Sequence, residues 1–255
     1  MGISGFYYPI KTPVRQISNS MDYQSCCTVF SEQRMQRYKH AVGEESAPDL
    51  YRLNLLLSRE LFSLVSVFEI ALRNKIDRCL VVGMSDSNWL YNSIQPKTDP
   101  SLPYQGCFLQ GKAGDSAKLI RDVLASKGNI PHDKLVAELG FGFWRYLFAG
   151  GKGGQFEATG KVLLKVFPNK PKSTPSRAYN QKWIFDELSK INRFRNRLAH
   201  HEPICFKGNA KSTEYAREIY RSLVGLLDYM NIDTAALFEQ FGDNVVAICD
   251  HIDPF

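Results

Sequence analysis

No CxxC pair occurs in this chain of 255 residues, and its six cysteines, Cys26, Cys27, Cys79, Cys107, Cys205 and Cys249, form no Cys/His set at zinc-ligand spacing. They read as reduced thiols of a cytosolic protein, with no disulfide framework, no metal and no cofactor implied. No apolar run approaches the roughly 18 residues of a membrane span. The first residues, Met1 to Phe6, lack the charged and apolar regions of a signal peptide, and Phe6 stands where myristoylation wants Ser or Thr. The expectation is a soluble, cytoplasmic protein with no membrane partner. Alternating apolar runs bounded by turn residues are missing too, which removes the case for a sheet and leaves all-α as the fold class. The glycine-rich run Gly150-Gly151-Lys152-Gly153-Gly154 has no Ser or Thr following a Gly-Lys in frame, so it reads as a flexible turn and not a nucleotide-binding loop.

What is present is apolar and helical. Hydrophobic residues make up 44% and aromatics 12% of the chain, enough for a sizeable core and too much for a disordered chain. Residues 1–30 mix Pro9, Pro13, serines and tyrosines without a period, and are expected to be an irregular N-terminal extension to a single helical domain over 31–255. From Pro48 to Val82, Leu50, Leu53, Leu57, Leu61, Leu64, Val65, Phe68, Leu72 and Ile76 recur at three and four residues, predicting one long amphipathic spine helix. Asn54 falls inside that stripe and is expected to be a buried hydrogen-bonding group. A long connection carrying Trp89 covers 83–115, followed by helices expected over 115–127, 131–148, 155–167, 176–201, 212–230 and, in short pieces, 233–251. Phe141, Phe143 and Trp144 are read as core or dimer contacts.

The charge is unevenly placed. Overall it is +6, from 32 Lys+Arg against 26 Asp+Glu. Residues 151–211 hold 13 basic and 4 acidic residues, a net +9, whereas 214–255 hold 2 and 8, a net −6. By itself a basic stretch is either a solvated face or a phosphate-binding surface.

Within it, Ile184 to Ala199 fits a helix. With Ile184 at zero, Leu188, Ile191, Leu198 and Ala199 fall at about 40°, −20°, −40° and 60°, and Arg195 falls among them at about 20°. A guanidinium is rarely buried without a partner. Arg195 is therefore expected either to face a cleft that takes an anion or to meet a carboxylate from another helix. His200 and His201 follow at the end of this helix, which Pro203 terminates. An Arg and a His without a nucleophilic Ser or Cys suit RNA cleavage by the ribose 2′-hydroxyl, in which the substrate supplies its own nucleophile. The protein adds only a proton carrier and a cation for the phosphate. On a straight helix Arg195 and His200 point about 140° apart with about 7.5 Å of rise between them, so a break near Ala199 or a second copy of the helix is needed to bring them together. The competing reading is a structural Arg–carboxylate pair with a histidine capping the helix.

The string Arg195-Asn196-Arg197-Leu198-Ala199-His200-His201-Glu202-Pro203 resembles the RNxxAHHEP signature of Abi-like (abortive infection) proteins of the HEPN superfamily. Phe68-Glu69-Ile70-Ala71-Leu72-Arg73-Asn74-Lys75-Ile76-Asp77 and Val136-Ala137-Glu138-Leu139-Gly140-Phe141-Gly142-Phe143-Trp144 resemble two further motifs of that family, in the same order. The resemblance implies a HEPN-type helical bundle and a homodimer with a composite active site. It also implies metal-independent endoribonuclease activity in antiphage defence or as a toxin, with RNA as substrate and an antitoxin or phage-derived trigger as regulator. It assigns catalysis to Arg195, its polar companion Asn196, and His200, with His201 as the alternative imidazole. Some members have lost catalysis and bind RNA or a protein partner instead. Lys190, Arg193, Arg197 and Arg73 are the candidate substrate-binding cations, and Glu69 is expected to pair with Arg195 or Arg73.

Overall fold

The computed structural model describes residues 21–95, 108–109, 114–150, 156, 159 and 161–255. The first 20 residues of the expected extension, Cys107, the run 151–154 and residues 155, 157, 158 and 160 lie outside them; the described part of the helix expected over 155–167 holds a short 3-10 helix, Val162–Val166. The described residues are mostly helical, so the chain is all-α in class. No helix among them is long and apolar enough to cross a membrane.

Helix α1, Tyr23–Phe30, starts earlier than the period of the sequence suggests, because the Asp22 carboxylate accepts the Ser25 amide at 2.8 Å and caps it. Ser31, at φ 76°, ends α1 and caps α2, Glu32–Val42, through its hydroxyl. Helix α3, Ala47–Met84, runs 38 residues, about 57 Å at 1.5 Å per residue. Every residue of its predicted stripe, from Leu50 to Ile76, is buried. Ser85 at φ 54° turns the chain out of it, and the amide of Asp86 returns to the Val81 carbonyl at 3.1 Å.

The chain divides into two compact units. The first takes the described part of 1–61 with 203–217 and 241–255. Its core includes Tyr38, edge-on to both Tyr51 and Phe206 at 5.1 and 5.3 Å. Asn54, 3% exposed, accepts the amides of Ile204 at 2.9 Å and Cys205 at 3.2 Å through one side-chain oxygen. The buried hydrogen-bonding role expected of it holds. Two short strands, β1 (Phe206–Lys207) and β2 (Ala210–Lys211), pair antiparallel, an element the sequence pattern did not predict. Gly208 at φ 58° makes the two-residue turn possible, and the signal available was the Gly-Asn pair itself. Arg37 lies over the Phe206 ring at 4.4 Å and donates to the Gly208 carbonyl.

The second unit takes 62–202 and 218–240. It contains α4 (Trp89–Asn92), α5 (Gly114–Lys127), α6 (His132–Glu138), α7 (Phe141–Tyr146), a short 3-10 helix (Val162–Val166) and α8 (Gln181–Ala199). The single helix expected over 131–148 is two helices. Leu139 is extended (φ −81°, ψ 122°) and Gly140 nearly so, and the Leu139 carbonyl released by the break accepts the Trp144 indole N–H at 2.9 Å. Phe141, Phe143 and Trp144 are buried, as core residues. Asp77 accepts the Trp89 indole N–H at 2.7 Å and meets His132 Nε2 at 2.7 Å, fixing α4 and α6 against α3. Gly83 is required by packing, since a Cβ there would lie 2.5 Å from Val162 Cγ1. Helix α8 begins at Gln181, five residues later than periodicity suggested, capped by Asn180, whose side chain accepts the Trp183 amide. Three helices complete the chain: α9 (Glu214–Tyr229), α10 (Thr234–Phe241) and α11 (Val245–Ile252).

Candidate active site at the end of helix α8

Helix α8 buries Ile184, Leu188, Ser189, Ile191, Phe194 and Leu198. Phe194 joins the expected stripe, while Ala199 leaves it and is exposed. The reason is drift: Ile191, Phe194 and Leu198 centre near −45° on the wheel, away from the zero set by Ile184. Arg195, at about 20°, is thereby moved from the middle of the stripe to its edge. It is half-buried.

The cations of α8 divide sharply. Lys182 meets Asp186 at 2.6 Å, Lys190 meets Glu187 at 3.2 Å and Glu218 at 2.8 Å, and Arg197 meets Glu202 at 3.1 Å. The guanidinium groups of Arg193 and Arg195 have no hydrogen bond or ion pair among the described residues. Of the two alternatives for Arg195, the carboxylate partner is absent there. Glu69 is half-exposed and forms no ion pair among the described residues, so its expected pairing with Arg195 or Arg73 is not made. Arg73 instead donates to the Ala137 carbonyl at 3.2 Å, with its Nε buried and unpartnered.

Two of the candidate phosphate-binding cations are already engaged. Burial lowers the Lys190 pKa, but Glu218 and Glu187 outweigh it, and the net shift is upward. Its ammonium is charged and held by two carboxylates. Arg197 is occupied by Glu202. Arg193 is exposed and open to solvent.

The end of α8 is a Schellman motif. The amide of His201 bonds the Leu198 carbonyl at 3.0 Å, and the amide of Glu202 bonds the Arg197 carbonyl at 2.9 Å. His201 stands at φ 54°, the left-handed position usually given to glycine. The Arg197–Glu202 ion pair links the same two residues as the longer backbone bond. Pro203 then prevents further helix. His200 is the cap residue, exposed, with φ −90° and ψ 10° and its amide on the Asn196 carbonyl at 3.0 Å. Asn196 is exposed one turn before it.

The helix is therefore regular through Ala199. The chain leaves the helix only at His200 and His201, so by helix geometry Arg195 and His200 of one chain stand about 140° apart. Arg195, Asn196, His200 and His201 share the last turns of α8; Glu69 and Arg73 sit on α3. Arg145, on α7, has no place in the sequence reading, yet it reaches α8. Its guanidinium donates to Ser189 Oγ at 2.9 Å. The signal for it was slight, a charged residue directly after the buried Trp144.

Compared with known proteins, the chain matches no family model, no curated protein and no solved structure.

Proposed function

We propose that this chain is a metal-independent endoribonuclease of the HEPN type, acting as a homodimer in antiphage defence or as a toxin. The observation that carries the reading is the state of Arg195: half-buried, without a carboxylate among the described residues, on a helix whose other cations are mostly paired. A guanidinium kept at a helix edge without a counter-charge offers its planar fork of donors to an anion. In this reading the anion is the scissile phosphate.

The ribose 2′-oxygen attacks phosphorus, and His200, or His201 beside it, takes the hydroxyl proton. The P–O5′ bond breaks, the 5′-oxygen leaves with a proton from water while the imidazolium returns its own to solvent, and a 2′,3′-cyclic phosphate remains. Arg195 stabilises the charge that builds on the non-bridging oxygens, and Asn196 supplies a neutral donor next to it. Because Arg195 and His200 diverge on one helix, a second α8 across a two-fold axis supplies the complementary group.

The test is incubation of total RNA with the protein in EDTA. The expected result is fragments ending in 2′,3′-cyclic phosphate, lost in Arg195→Ala and in His200→Ala combined with His201→Ala. Full cleavage by those variants overturns the reading. The divergence of Arg195 and His200 within one chain favours a second reading, a module that binds RNA or a protein partner without cutting. RNA binding without cleavage in the same experiment supports that one.

A further inference from the structure

We infer that Arg145 and Tyr146 of α7, with Phe185 and Ser189 of α8, form a subsite for one nucleotide of single-stranded RNA beside the proposed cleavage site. This rests on the nuclease reading above and extends it to how the substrate is held.

The Arg145 guanidinium lies over the Tyr146 ring at 4.1 Å and within 5.2 Å of the Phe185 ring centroid. It makes one hydrogen bond, to Ser189 Oγ, and no ion pair among the described residues. Ser189 in turn donates to the Phe185 carbonyl at 2.6 Å, so its oxygen is fixed as the acceptor that orients the guanidinium. Nε is buried and unpartnered. A guanidinium lying by two rings and bonded to a hydroxyl, with no carboxylate among the described residues, has donors left for an anion. Tyr146 is 45% exposed although the guanidinium covers one of its faces. The exposed remainder is a platform for a base, and stacking on an aromatic face accepts any base.

Position along α8 ties this pair to the catalytic candidates. On the wheel with Ile184 at zero, Phe185, Ser189, Asn196, His200 and Arg193 fall at about 100°, 140°, 120°, 160° and 180°. They form one face. From Ser189 to Asn196 is about 10 Å along the helix, a span that a short single-stranded segment covers. A strand laid along this face meets Arg145 and Tyr146, then Arg193, then Asn196 and His200. The polarity is complementary, since Arg145 and Arg193 are the two cations here without carboxylates among the described residues.

The experiment uses His200→Ala combined with His201→Ala as the uncleaving parent and measures binding of a labelled single-stranded RNA of mixed sequence across a salt series, with cleavage by the wild type run alongside. Arg145→Gln is expected to weaken binding about tenfold and to lower the salt slope by about 0.7. Tyr146→Ala is expected to weaken binding about fivefold to tenfold with the slope unchanged, and Tyr146→Phe to bind like the parent. Circular dichroism checks that each variant is folded; Tyr146, being exposed, decides the matter if Arg145→Gln is not. Binding by Tyr146→Ala and Arg145→Gln within about twofold of the parent, with unchanged slope, overturns the subsite. If the wild type still cuts RNA in that case, the nuclease reading stands alone. A wild type that neither cuts nor binds RNA overturns both.

Discussion

Arg217 and Arg195 are both helical arginines flanked by apolar positions, and their surroundings are opposite. Arg217 reaches Asp250 at 2.6 Å and Asp253 at 2.8 Å, and its Nε donates to Thr213 Oγ1 at 3.1 Å. Burial alone lowers its pKa, but the two aspartates outweigh that and raise it. Thr213 also donates to Asp253 at 2.6 Å, and Lys211 donates to the carbonyls of Ile252 and Asp253 at 2.9 and 2.7 Å. Together these bonds hold α11 and the ribbon to the start of α9. Among the described residues Arg195 has none of this. The contrast separates an arginine committed to the fold from one whose fork the fold leaves open.

The sharpest way to break that contrast is Arg195→Ala. It is expected to reduce RNA cleavage in EDTA by about 10²–10³-fold, while the unfolding free energy in urea shifts by no more than about 0.5 kcal/mol. A large loss of stability would show that Arg195 has a structural partner after all. Next in size is Asn54→Leu, which strips the acceptor from two buried amides. Its expected cost is about 2–3 kcal/mol, read from the same denaturation curve.

Arg217→Ala is expected to cost about 1–2 kcal/mol, since the guanidinium is one-fifth exposed but its aspartates are half-exposed and screened. The cluster also has an acid limb. Burial pushes the Asp253 carboxyl up, but the Thr213 hydroxyl and Arg217 guanidinium outweigh it and hold it below the ordinary value. A depressed folded pKa gives stability that is present above about pH 4 and is lost as pH falls through the lowered value. Arg217→Ala should flatten that loss in an unfolding series below pH 4. The smallest effect belongs to His201→Gly, expected to raise stability by about 0.5 kcal/mol by relieving the left-handed position. If His200 is the working imidazole, this variant keeps its cleavage rate; if His201 is, the rate falls.

Much of this architecture was legible in the order of residues. The stripe from Leu50 to Ile76 marks α3 because nothing but a helix buries that spacing on one side, and Asn54 within it had to be hydrogen-bonded to stay there. The breaks were less legible. Gly140 is a weak helix breaker alone, and the split between α6 and α7 depends on the Trp144 indole taking up the Leu139 carbonyl, a bond between side chain and backbone that no period records. The ribbon around Gly208 is too short to leave an alternation.

The candidate site shows the same division. Sequence alone determined which residues stand together, Arg195, Asn196, His200 and His201, because they are consecutive on one helix and its end; the basic excess around them is likewise a property of composition. It also set the helix stop, through Pro203. Which cations are open was a matter for the tertiary structure. Lys190 and Arg197 carry the same charge as Arg193 and Arg195, and only the placing of Glu187, Glu218 and Glu202 tells them apart. Charge is written into the chain, whereas its neutralisation falls off with distance and depends on which side chains the fold brings within about 4 Å.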